Sequence, residues 1–418
     1  MTLNLAILII FVILQRFFGA PAFSELLFLT YGIILALGSI AMVNAYRPVQ
    51  YYAKIAWIGT LLTILVTVII PTIGLMQLRQ TYGPASGAVH DDPIQIEAAM
   101  DFLQHGRNPY VEDYTQTDMV AWSTGFQYGI TNPAIYHVIA LPGHLLLSMP
   151  FYLTIHGLTG WFDERIVYLL AYLMVLFLAS RIGRNSVERL RTLILIGLNP
   201  LAITFLMFGR NDVLVFALLL ATFLLLHRRH LGWAFGVLAA ACTVKLFAWV
   251  FVPFVLAYAL GMSGGRSFID GWRRLAKPLL LFGAIVLVVI GPFAAWNLPA
   301  FYDDIVRYTN GTSPTSYPIN GLGFSTMLLA AGAIDRPTDV YPFWIFQLLT
   351  VGPLLWFTLP RLWRSPRLSL AIFSATFTLL VGMFFSRFMN DNYIALVFLL
   401  AAAGYSIWLT EAHWKQTD

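Results

Sequence analysis

The amino-acid sequence predicts an all-α polytopic integral membrane protein. Its 418 residues are 59% hydrophobic and only 11% charged, and the mean hydropathy of +0.75 is far above that of a soluble domain of this length. Apolar runs of about 17 to 25 residues, the length that crosses roughly 30 Å of hydrocarbon as a helix, recur from end to end. Alternating ten-residue strands are absent from the sequence, so a helical bundle is predicted rather than a barrel.

The apolar runs predict about ten full spans in three regions. Residues 1–50 hold extra N-terminal membrane helices, residues 51–260 form a central transmembrane module with an acidic outer loop at 77–130, and residues 261–418 form a C-terminal module with an outer loop at 297–340. The spans are predicted near residues 3–18, 25–45, 54–76, 165–180, 192–208, 213–227, 278–296, 341–359, 368–386 and 393–410.

Two arginine clusters, at 181–191 and 361–367, orient the predicted bundle. Basic residues in short loops stay on the cytoplasmic side, so both clusters are placed there. This orientation puts 16 of the 25 Lys and Arg residues in the cytoplasm and leaves the acidic loop outside. The predicted location is therefore the plasma membrane, with any active site in the acidic loop facing the extracytoplasmic side.

Two further apolar stretches are predicted not to cross the membrane fully. Residues 131–155 follow the acidic loop, and only one span separates them from the 181–191 cluster, so they form a broken interfacial helix. Residues 232–260 lie between two basic loops, which requires an even number of crossings. We predict a hairpin of two short helices with its tip near Lys245. Legs of about 12 residues reach only about 18 Å, so the tip lies inside the bundle, at the bottom of an outer cavity.

Composition and motifs exclude several function classes. The net charge of +5 arises from short clusters between apolar runs, which membrane orientation explains better than nucleic-acid binding. The single cysteine, Cys242, excludes intramolecular disulfides. The sequence has no Gly-rich phosphate loop, no zinc-spaced His and Cys set and no Gly-x-Ser-x-Gly elbow, so no cofactor or metal is predicted. Because no soluble segment is long enough to bind a nucleotide-linked donor, a transferase of this kind takes its donor from the membrane.

The acidic loop carries the candidate catalytic residues, Asp91 and Asp92. An Asp followed by Pro93 is a strong helix start, and the sequence predicts a short amphipathic helix over 93–105. Asp92 has an alternative structural role, which is to cap the amides of that helix. Asp91 has no such role and is well placed as a general base for a substrate at the lipid surface. The alternative interpretation is that Asp91 is an ordinary solvated carboxylate of the loop. His90 is a candidate substrate-binding residue beside them.

Candidate anion-binding residues lie at the outer ends of other predicted helices. Lys245 sits at membrane depth, where an ionised group is costly unless it faces a cavity or a partner, so we assign it to anion binding. Arg210 and Asp212 lie in a tight outer turn and bind substrate or, alternatively, pair to close the turn. Arg387, in a similar turn near the C-terminus, is a second candidate phosphate clamp, whereas Arg307 is better explained as solvated.

Several segments, in order along the chain, resemble the polyprenyl-phosphate-dependent glycosyltransferases with the GT-C fold. They are Val89-His90-Asp91-Asp92-Pro93 through Gly106-Arg107-Asn108-Pro109-Tyr110, then Asn132-Pro133-Ala134-Ile135-Tyr136, then Phe162-Asp163-Glu164-Arg165-Ile166-Val167-Tyr168, then Gly209-Arg210-Asn211-Asp212, and finally Lys245 with Pro253. The last two are similar to the bacterial α-mannosyltransferase branch that includes the phosphatidylinositol mannoside mannosyltransferases. The resemblance covers about residues 54–260.

The resemblance implies a GT-C fold and a glycosyltransferase of the cell envelope. It implies that Asp91 is the catalytic base and that Lys245, with Arg210 or Arg387, holds the lipid phosphate. The donor would be a polyprenyl-phosphate-linked hexose, mannose in the favoured case, and the acceptor a hydroxyl of a glycolipid, a glycan or a protein, with inversion at the anomeric carbon. A lipid-linked saccharide flippase or transporter is the alternative. A polysaccharide polymerase or ligase would use an outer loop rich in arginine, and the outer loops here are acidic.

Overall fold

A computed structural model describes most of the chain beyond residue 50. The described residues are 3–4, 6–10, 51–84, 87–124, 126–262 and 268–411. The structure is all-α, with 76% of it helical. The extra N-terminal helices predicted for residues 1–50 lie outside the described residues, apart from the short helical pieces at 3–4 and 6–10.

The α-helices of the described residues are numbered in chain order. They are α1 (Tyr51–Ile64), α2 (Ile70–Tyr82), α3 (Asp91–Gln104), α4 (Pro142–Thr159), α5 (Arg165–Ala179), α6 (Ser186–Gly197), α7 (Pro200–Phe208), α8 (Asp212–His227), α9 (Leu231–Val244), α10 (Phe251–Gly261), α11 (Phe268–Trp296), α12 (Leu298–Tyr302), α13 (Tyr308–Asn310), α14 (Phe324–Ala330), α15 (Phe343–Arg364), α16 (Leu368–Phe384) and α17 (Asp391–Glu411). Shorter 3₁₀ or π turns occur at Leu65–Ile69, Asp118–Trp122, Gln127–Gly129, Pro133–Ile135, Leu246–Val250 and Asp303–Arg307. Strands β1 (Asn320–Gly321) and β2 (Phe388–Met389) pair in parallel.

Every predicted span within the described residues coincides with helix, but not every helix is long enough to cross a membrane. Four helices there meet the length and hydropathy of a span: Lys54–Tyr82, Ile269–Trp296, Phe343–Arg364 and Asp391–Glu411. The pair α6 and α7, bent by 50° at its break, makes a fifth if it counts as one span. The other predicted spans are helices of 15 to 17 residues, so the number of ten full spans stays a prediction.

The bundle has two chemically different ends. Helices α5, α8 and α17 all begin at one end, near Asp212 and Asn392, which we call the acidic end. They finish at the other end, where Arg181 and Arg228 share a pocket with Thr410, and we call this the basic end. The 16 residues of α8 separate the two ends by about 24 Å.

The chain reverses at Lys245, as the hairpin interpretation predicted. Helix α9 begins at the basic end and stops at Val244, and Lys245 itself is extended, with φ −150° and ψ 136°. The chain then returns through α10, where Tyr258 lies within electrostatic range of Arg229 and Glu411 at the basic end. The tip of this hairpin is therefore held at the acidic end, inside the bundle.

Helices α3 and α4 both stay at the acidic end. Helix α3 begins two residues before the predicted start, and His90 is its N-cap. The predicted interfacial helix appears as α4, whose Tyr152 hydroxyl lies 3.4 Å from a carboxylate oxygen of Asp101 in α3. The exposed side chains of α4 include Leu146 and Leu147, and its placement at a membrane surface stays a prediction.

Candidate active site

Four charged residues fasten the acidic helix α3 to the bundle. Arg79 donates to both carboxylate oxygens of Glu97, at 2.8 and 2.5 Å, and to Asp163 at 3.0 Å. Arg165, which is fully buried, binds Asp163 through two nitrogens at 2.8 and 2.7 Å. Each buried carboxylate thus faces at least one guanidinium, which removes the main cost of burying a charge.

Arg165 also draws two chain segments together. Its Nη1 donates to the backbone carbonyls of Ala88, at 2.7 Å, and of Met207, at 3.1 Å. Next to it, the amide of His90 donates to the carbonyl of Phe208 at 2.7 Å. The start of α3 is therefore fixed against the turn that follows α7.

Gly209 permits this close approach. It has a φ of +92°, in the left-handed region that favours glycine, and ends α7 as its C-cap. A side chain at this position would collide with the ring of Pro93. The turn that carries Arg210 can thus sit directly on the first turn of α3.

Asp92 is held by side chains of the bundle rather than by the helix amides. Its carboxylate accepts from the hydroxyl of Tyr168 at 2.8 Å and from the amide nitrogen of Asn211 at 2.9 Å. The capping interpretation of Asp92 is wrong, because His90 occupies the cap position. Burial raises the pKa of the Asp92 carboxyl, against the opposing effects of nearby cationic groups and of the Tyr168 hydroxyl.

Lys245 joins the same hydrogen-bond chain. Its Nζ donates to Asn211 at 2.6 Å and to Asp212 at 2.5 Å. The other carboxylate oxygen of Asp212 accepts from Asn392. Because Asn211 also donates to Asp92, a single side chain connects the lysine at the hairpin tip with the acidic pair.

Asp91 is the partly exposed carboxylate next to His90. A fifth of its side chain is exposed, and it contacts the ring of His90 and accepts from Asn132 at 3.3 Å. Burial alone would raise the pKa of Asp91, but the charges of His90 and Arg210 and the hydrogen bond from Asn132 together lower that pKa well below its usual range. Asp91 is therefore ionised at neutral pH.

Arg210 lines an apolar cavity. The cavity has an empty volume of about 460 Å³ between α5, α6, α7, α8 and α17, and its polar lining residues are Arg210, Asp212, Asn392 and Tyr172. The remaining lining residues are Val175, Ile196, Ala202, Ile203, Phe205, Leu206, Val213, Phe216, Ala395, Leu396 and Leu399. Among the described residues, Arg210 has no ion-pair partner within 4 Å of its guanidinium.

The guanidinium of Arg387 binds backbone carbonyls away from the acidic pair. Its guanidinium donates to the backbone carbonyls of Tyr317 at 2.6 Å, Asp339 at 2.7 Å and Pro337 at 3.1 Å. Burial lowers its pKa to about 10, so it stays charged at neutral pH. These contacts tie the outer loop to the turn before α17, and the structure does not bring this guanidinium into contact with the acidic pair.

His137, Asp303 and Asp304 are the one group in the described ranges whose ligand atoms lie close enough to hold a metal, all within 4.8 Å. The two ring nitrogens of His137 lie 2.7 Å from Asp304 and 2.6 Å from Thr315. Asp303 pairs with Arg307 at 2.9 Å, and the Arg307 side chain is still 43% exposed. Because Asp304 also accepts from the backbone amide of Val138, we assign this group to holding the loop at 297–340 against the segment around His137.

A buried pair behind Tyr168 escaped the sequence analysis. Nε2 of His144 lies 3.3 Å from the Tyr168 hydroxyl and 3.2 Å from Glu164, and Ser148 donates to the same Glu164 oxygen at 2.5 Å. Burial raises the pKa of Glu164 well above its usual range and lowers the pKa of His144 to about 4. This pair positions the hydroxyl that binds Asp92.

Tyr168, Asn211 and Asn392 were likewise missed. Each lies within the first turn of an apolar helix, or one residue before it, at the acidic end. A polar side chain at the start of an apolar helix could therefore have identified these three residues, because Arg210 and Asp212 were selected in the same way.

Comparison with known proteins supports one chemistry. Residues 101–261, less than half of the chain, match the family model described as MptA_B family, alpha-(1->6)-mannopyranosyltransferase, N-terminal domain. The matched range includes Tyr168, Asn211 and Lys245 and begins after the acidic pair. No curated protein and no solved structure matches the chain. The match supports a membrane mannosyltransferase of the GT-C type, which requires a sugar donor and an acceptor.

Proposed function

We propose that the chain transfers a mannosyl group from a polyprenyl-phosphate carrier to an acceptor hydroxyl at the acidic end of the bundle. The observation that carries the proposal is that Arg210 both lines an apolar cavity and lowers the pKa of the Asp91 carboxyl through its charge. A base, a cation and an apolar surface, which such a reaction requires, therefore occur at the same end of the bundle.

Asp91 acts as the general base. Asp92 already accepts from Tyr168 and Asn211, whereas among the described residues Asp91 has one long hydrogen bond, from Asn132, besides the His90 contact. Asp91 takes the proton of the acceptor hydroxyl as that oxygen forms a bond to the anomeric carbon. The bond from that carbon to the phosphate oxygen breaks, and the phosphate leaves with the electron pair. One base on one face gives inversion.

Arg210 and Lys245 receive the phosphate of the carrier. Arg210 lines the cavity without an ion-pair partner among the described side chains, and Lys245 donates to the two residues that follow it, Asn211 and Asp212. Phosphate bound to Arg210 would weaken the charge that lowers the pKa of Asp91, so the base becomes stronger once the donor is in place. Arg387 is assigned to holding the outer loop.

The apolar cavity receives the isoprenoid chain next to the phosphate. Its walls are mostly apolar side chains of five helices, and Arg210 and Asp212 are charged residues of its lining. A lipid-linked donor fits this division into an apolar and a cationic part. Arginines next to membrane helices stay on the cytoplasmic side, which orients the basic end toward the cytoplasm. The proposed site, at the opposite end, then faces the extracytoplasmic side of the plasma membrane.

Transfer by reconstituted full-length protein tests this function. Vesicles would contain polyprenyl-phosphate mannose with a radiolabelled sugar, and membrane glycolipids as acceptors. Asp91→Asn keeps a partner for Asn132, so we expect a folded protein whose transfer rate falls by about 10²- to 10⁴-fold. Asp118→Asn, an exposed change in the same loop, is the matched control and keeps the wild-type rate.

Two results would overturn the proposal. Unchanged transfer by Asp91→Asn removes the base from the mechanism. Movement of the labelled lipid across the bilayer, without any new glycosidic bond, identifies the chain as a transporter instead.

A further inference from the structure

Three arginines line one pocket at the basic end of the bundle. Arg181, Arg184 and Arg228 surround an empty volume of about 520 Å³, which Leu224 and Ile407 line from the bundle. The pocket lies at the finishing ends of α5, α8 and α17, whereas the proposed transfer site lies at their starting ends. It is therefore separate from the proposed transfer site.

The pocket carries more positive than negative charge. Arg184 pairs with Glu188 at 2.6 Å, which is the one ion pair of these three arginines within the described part of the chain. Arg181 lies over the ring of Phe177, 4.7 Å from its centroid, and Arg228 has no carboxylate within ion-pair distance among the described side chains. Two guanidinium groups thus line one pocket without a carboxylate partner among the described residues.

An exposed apolar stripe leads along α5 to this pocket. Leu170, Leu173 and Phe177 are 43, 46 and 56% exposed, and each lies three or four residues from the next. Arg181 follows Phe177 by four residues, so it continues the same face of the helix beyond its last turn. The surface therefore changes from apolar to cationic along one line.

We propose that this pocket binds the phosphate headgroup of an anionic phospholipid, whose acyl chain lies along the stripe of Leu170, Leu173 and Phe177. Arg181 and Arg228 contact the phosphate, and the apolar stripe distinguishes the lipid from a free anion. Basic pockets between helices at a membrane surface recognise headgroups in this way. The lipid would bridge the ends of α5 and α8 and so stabilise the bundle far from the transfer site.

Lipid-dependent stability of the purified full-length protein tests the proposal. Short-chain phosphatidylglycerol, titrated into protein in a neutral detergent, should raise the thermal midpoint until the site is saturated. For Arg181→Gln with Arg228→Gln, the apparent affinity should fall by about 30-fold, as expected for the loss of two cationic contacts. Arg361→Gln with Arg364→Gln removes the same charge at the same end but outside the pocket, and should keep the wild-type affinity.

Each comparison has an outcome that contradicts the proposal. Equal affinity in both double variants means that the pocket is not the binding site. An equal rise with inorganic phosphate alone shows a free-anion site, and an equal rise with phosphatidylcholine shows that negative charge is not recognised. The Arg228→Gln single variant, measured by lipid retention in native mass spectrometry, decides the matter if the double variant does not fold.

Discussion

Variants of the ion pair between Lys245 and Asp212 can distinguish a structural role of the lysine from a role in binding the phosphate. Removing one partner of a buried pair costs about 3–5 kcal/mol, and because Lys245 is 17% exposed the lower value, about 3 kcal/mol, applies to Lys245→Gln. The same variant loses a phosphate contact, which lowers the transfer rate by about 10²- to 10³-fold. Lys277→Gln, an exposed change at the basic end, is the control and should alter neither quantity.

The double variant Lys245→Gln with Asp212→Asn is the decisive member of this set. With both charges removed, no unpaired carboxylate is left beside Asn392, so most of the lost stability should return. The transfer rate should stay low because the cation that receives the phosphate is still missing. Unfolding in mixed micelles and transfer in vesicles measure the two quantities. Recovery of both together would refute the reasoning, since it would make the lysine purely structural.

Three further predictions concern the geometry around Asp91. Gly209→Ala should lower the free energy of unfolding by about 1–2 kcal/mol and slow transfer, because its φ of +92° and the ring of Pro93 both exclude a side chain. Gly157→Ala is the control: the space around Gly157 is open, so this change should leave the stability unchanged or raise it. Arg210→Gln should move the acid limb of the kcat/KM profile to higher pH. Activity is lost as the pH falls through the pKa of Asp91, and the variant lacks one of the charges that lower this pKa. An acid limb at the wild-type pH would contradict this prediction. Asp163→Asn should cost about 3–5 kcal/mol in mixed-micelle unfolding, because two arginines lose their shared carboxylate, and a change below about 1 kcal/mol would mean that the ionic frame is not needed.

Elements of local origin were predictable from the sequence. Helix α3 follows from the Asp-Pro start, and the break at Lys245 follows from counting crossings between two basic loops. Both rest on rules that act within a few residues or on the sidedness of a membrane.

Contacts between distant residues were not predictable. Asp92 meets Tyr168 and Asn211, which are 76 and 119 positions away, so its tertiary hydrogen bonds replaced the predicted capping role. Arg387 looked like a free cation in an outer turn, yet carbonyls 48 to 70 positions away take its donors. No local pattern states which long-range partner a polar side chain finds in a folded bundle.

The affinity for polyprenyl phosphate, the product that keeps the carrier phosphate, tests the central claim most directly. If Arg210 and Lys245 receive the phosphate beside the carboxylate of Asp91, then Arg210→Gln and Lys245→Gln should each weaken binding by about 10-fold or more, since a charge-assisted contact contributes about 1.5–3 kcal/mol. Asp91→Asn should bind the lipid more tightly than the wild type while failing to transfer, because it removes a negative charge next to the phosphate. Equal affinity in the wild type and all three variants would contradict the account.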